Sequence, residues 1–335
     1  MEHSIVKKPN VPAKVFVTRP IPDAGLDVLR REIGGFDMNP DEDRILPKRE
    51  MIEQVKGRLG VLCTLTDAID ADVIAAAADC KVIANCAVGY DNVDLPAATR
   101  RGIAVTNTPD VLTDATADLT WALLMAAARR IAEADRFTRA GKFKAWGPKL
   151  FLGVDVAGRT LGIIGAGRIG TAVARRSAGF KMTLIYTDRH TNEALERELV
   201  ARKVELDVLL READFVSVHV PLAAETRHLL GEREFGLMKS SAVLVNTSRG
   251  PVLDEAALVA ALRRKQIFAA GLDVFENEPR LAPGLAELDS VVIPPHVGSA
   301  TFATRNRMAE LAAANLVAVL NGRRPPNCVN PEIYR

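Results

Sequence analysis

Cysteine is scarce in this chain: four in 335 residues, Cys63, Cys80, Cys86 and Cys328, with no CxxC spacing. That excludes a disulfide framework and a thiolate metal cluster, and it fits a reducing, cytoplasmic compartment. No metal site is expected. Charge of one sign is also lacking. The 44 basic and 42 acidic side chains leave a formal net charge of +2. Lys7, Lys8 and Arg19 form no polybasic run, so nucleic acid is not an expected partner. Long apolar runs are missing too. The opening residues, Met1 to Pro9, show no signal-peptide core, and the most apolar helical stretch, 119–128, is too short to cross a bilayer. A membrane partner is therefore not expected. Histidine is rare: His3, His190, His219, His228 and His296 are all there are. Few side chains can thus move a proton near neutral pH.

What is present is a chain with 48% hydrophobic residues, enough for a full core and more than one domain. Strand-like runs at 13–18, 60–63 and 81–85 alternate with helical patterns at 23–32 and 70–78. The rhythm resumes after 105–107 with a long Ala-rich helix over 114–130. Strands follow at 160–164, 182–186, 215–220, 243–246 and 269–274, with helices at 169–177 and 309–320. The later strands are apolar nearly throughout, as in a parallel sheet covered on both faces. The expected architecture is α/β: two Rossmann-like, doubly wound parallel-sheet domains with a cleft between them. The helices starting near Asp114 and Ala300 are the expected crossovers, so residues 108–298 form one domain and 1–107 with 299–335 the other.

The sharpest local signal is Gly165-Ala166-Gly167-Arg168-Ile169-Gly170, a G-x-G-x-x-G between an apolar strand and a helix. Gly165 permits the tight turn, Gly167 lets the backbone approach a pyrophosphate, and Gly170 lets helix and strand pack. The next strand ends at Asp188, at the distance expected of an acid that accepts from the adenosine ribose hydroxyls. A carboxylate there repels the 2′-phosphate of NADP, so NAD (NADH) is the expected cofactor. Arg189 follows and could pair with that phosphate, which leaves NADP as a less favoured second cofactor.

Among the histidines, His219 ends an apolar strand before Pro221 and is expected at the cofactor edge. His228, in Glu225-Thr226-Arg227-His228, reads as a surface helix start. His296 stands between an apolar strand and a Gly-Ser helix start, where a structural imidazole is the ordinary reading. Two strand-end motifs change that weighting: Asn246-Thr247-Ser248-Arg249-Gly250 and the acidic stretch from Gly271 to Pro279. Strand carboxyl ends are where open α/β sheets bind ligands, and Arg249 could clamp a carboxylate and a reacting carbonyl.

Together with Ala87 to Asp94, His219 to Leu222 and Pro295 to Ser299, these stretches resemble the D-2-hydroxyacid dehydrogenase family, and within it the glyoxylate and hydroxypyruvate reductases. The similarity covers nearly the whole chain. It implies reduction of a small 2-keto acid by hydride transfer, glyoxylate to glycolate or hydroxypyruvate to D-glycerate. Arg249 would bind carboxylate and carbonyl, and His296 would be the general acid. Glu278 would hydrogen-bond and orient His296, with Glu276 a bystander. Val88 and Gly89 would offer backbone N–H groups to the substrate carboxylate, with Leu65 beside them. Asp273 would hold the nicotinamide carboxamide. Thr116, Arg168, Ile169, His219, Val220, Pro221, Thr226, Thr247, Ser248, His296 and Gly298 would line the cofactor. The resemblance makes 108–298 the NAD-binding domain, the remainder the substrate-binding domain, and the region near 114–150 the arm of a homodimer. Trp146 there is either an interface anchor or a residue reaching the partner's substrate pocket.

Departures narrow the substrate. Glu278 stands where formate dehydrogenases carry Gln. Val88 stands where phosphite dehydrogenases place Lys, and the loop lacks the Arg usual in phosphoglycerate dehydrogenases. An uncharged loop suits a small monoanion. Cys86, where similar reductases often have Tyr, reads as a buried small residue. Two alternatives stay open: a reductase of a sugar acid such as 2-ketogluconate, and a non-catalytic NAD(H)-sensing protein of the corepressor kind.

Overall fold

The structure is a computed structural model and describes residues 14–335. His3, Lys7, Lys8 and the first residue of the expected opening strand lie outside the described residues. The chain divides into two compact units: one runs to Leu112 and resumes over Thr301–Arg335, and the other is Thr113–Ala300.

The first unit is built from β1 (Val15–Val17), α1 (Asp23–Ile33), β2 (Asp37–Met38), α2 (Lys48–Val55), β3 (Gly60–Cys63), α3 (Ala71–Ala76), β4 (Val82–Asn85), α4 (Leu95–Arg100) and β5 (Ala104–Thr106). Its sheet is parallel throughout, in the order β2-β1-β3-β4-β5. That is the flavodoxin-like doubly wound order. Every residue of β3 and β4 is buried, so the apolar runs reflect cover on both faces. Asp70 starts α3 by accepting from the Asp72 and Val73 N–H groups, and Asp94 starts α4 by accepting from Ala97.

The second unit opens with α5 (Thr113–Ala128) and α6 (Ile131–Arg139). It continues through β6 (Thr160–Ile164), α7 (Arg168–Arg176), β7 (Thr183–Thr187), α8 (Glu193–Leu199), β8 (Arg202–Lys203) and α9 (Leu206–Glu212). Then come β9 (Phe215–Val218), α10 (Glu232–Leu237), β10 (Val243–Asn246), α11 (Glu255–Arg263), β11 (Ala269–Leu272) and β12 (Val291–Val292). The last helix, α12 (Phe302–Leu320), returns to the first unit, where Gly25 of α1 lies so close that a Cβ there would sit 2.6 Å from the Ala309 carbonyl oxygen. The seven strands are parallel in the order β12-β11-β10-β9-β6-β7-β8. This is the dinucleotide-binding order with one further strand at the edge. Its direction reverses between β6 and β9, the place where such sheets bind ligands. Alternate strand residues feed two apolar clusters: Leu161 and Ile163 enter one, Ile164 and Val216 the other.

Three expectations need correction. The helix expected over 114–130 ends at Ala128, because Arg130 turns left-handed (φ 55°) and a second helix begins. Arg130 then grips Glu133 through two contacts of 2.8 Å. The strand expected over 215–220 ends at Val218. The segment holding His228 is a turn, not a helix start, with His228 itself left-handed at φ 51°. Among the described residues no helix is long and apolar enough to cross a membrane.

Candidate active site

The glycine loop follows β6 at the sheet's reversal point. Gly165 has φ 93°, and a Cβ there would meet the His219 backbone at 2.8 Å. A Cβ on Gly170 would fall 2.0 Å from the Gly165 carbonyl oxygen, so that helix start admits no side chain. Nothing lies within 4 Å of a Cβ built on Gly167, the N-cap of α7, and no side chain caps that helix. A glycine N-cap leaves the start of that helix uncapped by its own side chain, which suits an anion. Asp188, just past β7, accepts from Ala166 N–H at 2.8 Å and from His190 N–H at 3.0 Å. Its carboxylate is thus fixed against the glycine loop. Arg189 beside it is three-quarters exposed and pairs with Glu225 at 3.3 Å. These residues fit a dinucleotide: an open backbone cradle with a fixed carboxylate beside it.

Val220, Pro221 and Thr226 form the turn after β9. The Thr226 hydroxyl braces it by donating to the Pro221 carbonyl at 2.7 Å and accepting from Ala223 N–H at 2.8 Å. Thr247 shares a 2.8 Å hydroxyl contact with Thr120, which donates to the Thr116 carbonyl. Ser248 caps the end of β10 through Asn246 Oδ1, at 3.0 Å from its N–H and 2.7 Å from its hydroxyl. Gly298 is pressed between Asp273 and Thr116.

Past the ends of β10, β11 and β12 stand the charged groups Arg249, Glu278 and His296. His296 Nδ1 lies 2.9 Å from Glu278 Oε2, and Glu278 Oε1 accepts from Phe275 N–H at 3.0 Å. Nδ1 therefore carries the shared proton, which leaves Nε2 for a reacting partner. Burial works to raise the Glu278 carboxyl, but the hydrogen bond and charge of His296, with Phe275 N–H and Arg249 behind them, hold it below its ordinary value. Arg249 Nη1 donates to the Ser248 carbonyl at 2.9 Å. His296 is left-handed at φ 53°. Asp273 explains how that conformation is kept: its two oxygens accept from Val297 N–H at 2.7 Å and Gly298 N–H at 2.8 Å. Burial raises the Asp273 carboxyl, although the two N–H groups and His296 oppose the shift.

His219 is a different kind of histidine. Its Nε2 lies 2.8 Å from the Ser217 hydroxyl, its Nδ1 is buried without a partner, and burial drives it down to about 3. It is neutral at any ordinary pH. Glu276 pairs with a different histidine. Its Oε1 lies 2.7 Å from His228 Nε2, and its N–H donates to Glu255 at 2.6 Å. Glu255, only 2% exposed, also accepts from Ala282 N–H, so it ties down both ends of the turn that carries Glu278. The sequence shows Glu255 as an ordinary first-turn acid of α11. Only the tertiary contact reveals its use.

In the first unit, the loop after β4 carries Val88 and Gly89, and the loop after β3 carries Leu65. Asn92 Nδ2 donates to the Thr64 and Asp67 carbonyls at 3.1 and 3.0 Å, which joins the two loops. The buried Asp67 secures the loop after β3 by accepting from the Thr18 hydroxyl and the Thr64 N–H. Cys86 is free, and burial pushes its thiol up to about 12 against the opposing charge of Arg305. Trp146, in the second unit, is 81% exposed.

The lowered carboxyl of Glu278 has a pH consequence. A group whose folded value is depressed adds stability above its unfolded value, about 4.3, and loses it as pH falls through the folded one. Glu278→Gln removes that contribution. The melting temperatures of the two proteins should differ most at pH 6–7 and converge as the pH drops below about 4. A constant gap from pH 7 to pH 3 would show that the charge of Glu278 is not what stabilises the pair.

A sheet in dinucleotide-binding order, a glycine cradle closed by an acid, and a histidine–carboxylate pair at neighbouring strand ends define a nicotinamide-type oxidoreductase. Residues 121–298 match the family D-isomer specific 2-hydroxyacid dehydrogenase, NAD binding domain. The chain is 51% identical to a glyoxylate reductase of Thermococcus gammatolerans over 327 residues, 96% of this chain and 97% of that one. A crystal structure of a Thermus thermophilus protein superposes with a TM-score of 0.87 at 49% identity, covering 94% of this chain and 99% of that one. An NADPH-dependent glyoxylate/hydroxypyruvate reductase from Sinorhizobium meliloti, solved with NADP and malonate, gives 0.81 at 32% identity over 95% and 97%. The chain belongs to the D-isomer specific 2-hydroxyacid dehydrogenase family.

Proposed function

We propose that this enzyme reduces a small 2-keto acid with NADH, taking glyoxylate to glycolate or hydroxypyruvate to D-glycerate. The observation that carries the reading is the His296–Glu278 pair, with Nε2 open and Arg249 acting on the same carboxylate. When bound, the nicotinamide supplies the hydride. His296 then gives a proton to the carbonyl oxygen, and Glu278 stabilises the imidazolium and sets the ring's orientation. Arg249 holds the substrate carboxylate and polarises the carbonyl. Val88 and Gly89 add backbone N–H groups, and Leu65 a neighbouring apolar wall. Asp273 serves as the positioning residue of the His296 turn besides facing the carboxamide.

The substrate class follows from the uncharged Ala87-Val88-Gly89 stretch, which suits a monoanion. NAD over NADP follows from Asp188, whose fixed carboxylate would meet a 2′-phosphate; Arg189, already paired with Glu225, counters it weakly. A homodimer is part of the reading. Ile131, Phe143, Trp146 and Leu152 are each more than half exposed within one short stretch, more apolar surface than a monomer ordinarily shows there. The cytoplasmic assignment rests on the four free thiols.

The test is NADH oxidation at neutral pH with glyoxylate, hydroxypyruvate, pyruvate and 2-ketogluconate, repeated with NADPH. Turnover should be fastest with the two small acids and with NADH. Preference for 2-ketogluconate would move the substrate to a sugar acid. NADH binding with no turnover of any keto acid would replace the reductase by a cofactor sensor.

A further inference from the structure

We propose that Asn107 is a positioning residue for the substrate carboxylate, acting through the peptide between Val88 and Gly89. Three successive carbonyls of the loop after β4 are each held. Ala87 C=O accepts from Thr108 N–H at 2.9 Å. Val88 C=O accepts from Asn107 Nδ2 at 2.8 Å. Gly89 C=O accepts from Asn85 Nδ2 at 2.8 Å. The peptides here are trans, and a planar trans peptide points its N–H opposite to its C=O. Two consecutive carbonyls held by the Asn107–Thr108 segment therefore turn the N–H groups of Val88 and Gly89 to the opposite side. Neither N–H donates a hydrogen bond among the described residues. Two adjacent, aligned and unused donors form a concave anion site.

The clamp is itself fixed. Asn107 N–H donates to the Asn327 carbonyl at 3.2 Å, and its own carbonyl accepts from the fully buried Asn315 at 3.2 Å. The backbone of Asn107 thus stays in place when the side chain is changed. Thr108 acts through its main-chain N–H, which only a proline would remove, with its own backbone constraint. Asn85 is buried in the sheet and also holds Asn92, so its removal would disturb the fold. Asn107 is the member of the set whose side chain can be tested alone. With the Nδ2 donor gone, the Val88–Gly89 peptide is free to rotate, and the donor pair loses its alignment.

This inference rests on the reading that Val88 and Gly89 bind the keto-acid carboxylate. The experiment measures Asn107→Ala and Asn107→Leu against the unmodified enzyme: steady-state constants for glyoxylate, NADH dissociation by fluorescence, and the melting temperature. KM for glyoxylate should rise about tenfold in both variants, the worth of one lost hydrogen-bonding arrangement. The value of kcat and the NADH dissociation constant should stay within about twofold. An unchanged KM overturns the proposal. So does a joint loss of KM, kcat and NADH affinity, which would mark Asn107 as merely structural. An unmodified enzyme that turns over no keto acid removes the functional reading itself, whatever the variants do; an active enzyme with indifferent variants removes only the role of Asn107.

Discussion

Replacing His296 by asparagine is expected to lower kcat for glyoxylate roughly a thousandfold while NADH binds as before. The choice of asparagine follows from the backbone. His296 sits at φ 53°, a region asparagine enters far more readily than alanine. The asparagine amide can also still donate to Glu278 in place of Nδ1. The variant therefore keeps the turn and loses the proton donor. Rate constants from steady-state and single-turnover assays, with NADH titration alongside, separate the two effects. His228 provides the comparison. It too faces a carboxylate, Glu276, but it is 43% exposed and belongs to the turn after β9. His228→Asn should leave kcat within about threefold. Should the His296 variant keep more than about a tenth of the activity, another group delivers the proton. His219 is a poor substitute, since burial leaves it neutral.

How much of this was readable in the sequence depends on whether a feature is local. The glycine loop is local: strand, the three glycines 165, 167 and 170, and helix lie in the single stretch 160–176, with Gly165 and Gly170 in close backbone approaches and Gly167 left open. Asp188 is nearly so, because the next strand's length fixes its distance. The fully buried strands β3, β9 and β10 announce themselves by composition. The edge strands β2, β8 and β12 do not; each is two residues long, too short for any period to show. The break at Arg130 was also invisible, since neither glycine nor proline marks it and a left-handed arginine is held by Glu133 and by Phe151 beneath its guanidinium. The roles of Arg249, Glu278 and His296 came from resemblance, not from spacing. What the sequence could not offer was the bracing around them. Glu255 reaches Glu276 across 21 positions, and Asn107 reaches Val88 across 19. Such bonds have no signature in a single sequence, because an asparagine after a strand and a glutamate in a first helical turn are both commonplace.

Arg249→Ala should cost kcat/KM for glyoxylate roughly a thousandfold, with both KM and kcat affected and NADH affinity retained. Two features argue for an effect of that size. The side chain leaves the end of β10, which pairs with β11 in register Asn246 to Leu272, so it starts one strand away from the turn of Glu278. The two turns also touch. A Cβ on Gly250 would fall 1.9 Å from the Phe275 carbonyl oxygen, so this approach admits no side chain at the residue after Arg249. Arg249 and Glu278 are thereby held in fixed relation, and the guanidinium is one of the charges that depress the Glu278 carboxyl. Arg249→Lys keeps the charge and loses the planar fork that matches a carboxylate, so it should recover about tenfold of the loss and no more. Guanidinium ion added to the Ala variant should restore part of kcat, since it resupplies the missing donor group. Free acetamide at the same concentration should not. A Lys variant with full activity would mean that a point charge suffices and that no bidentate clamp exists. An Ala variant with unchanged kcat/KM would take Arg249 out of substrate binding altogether.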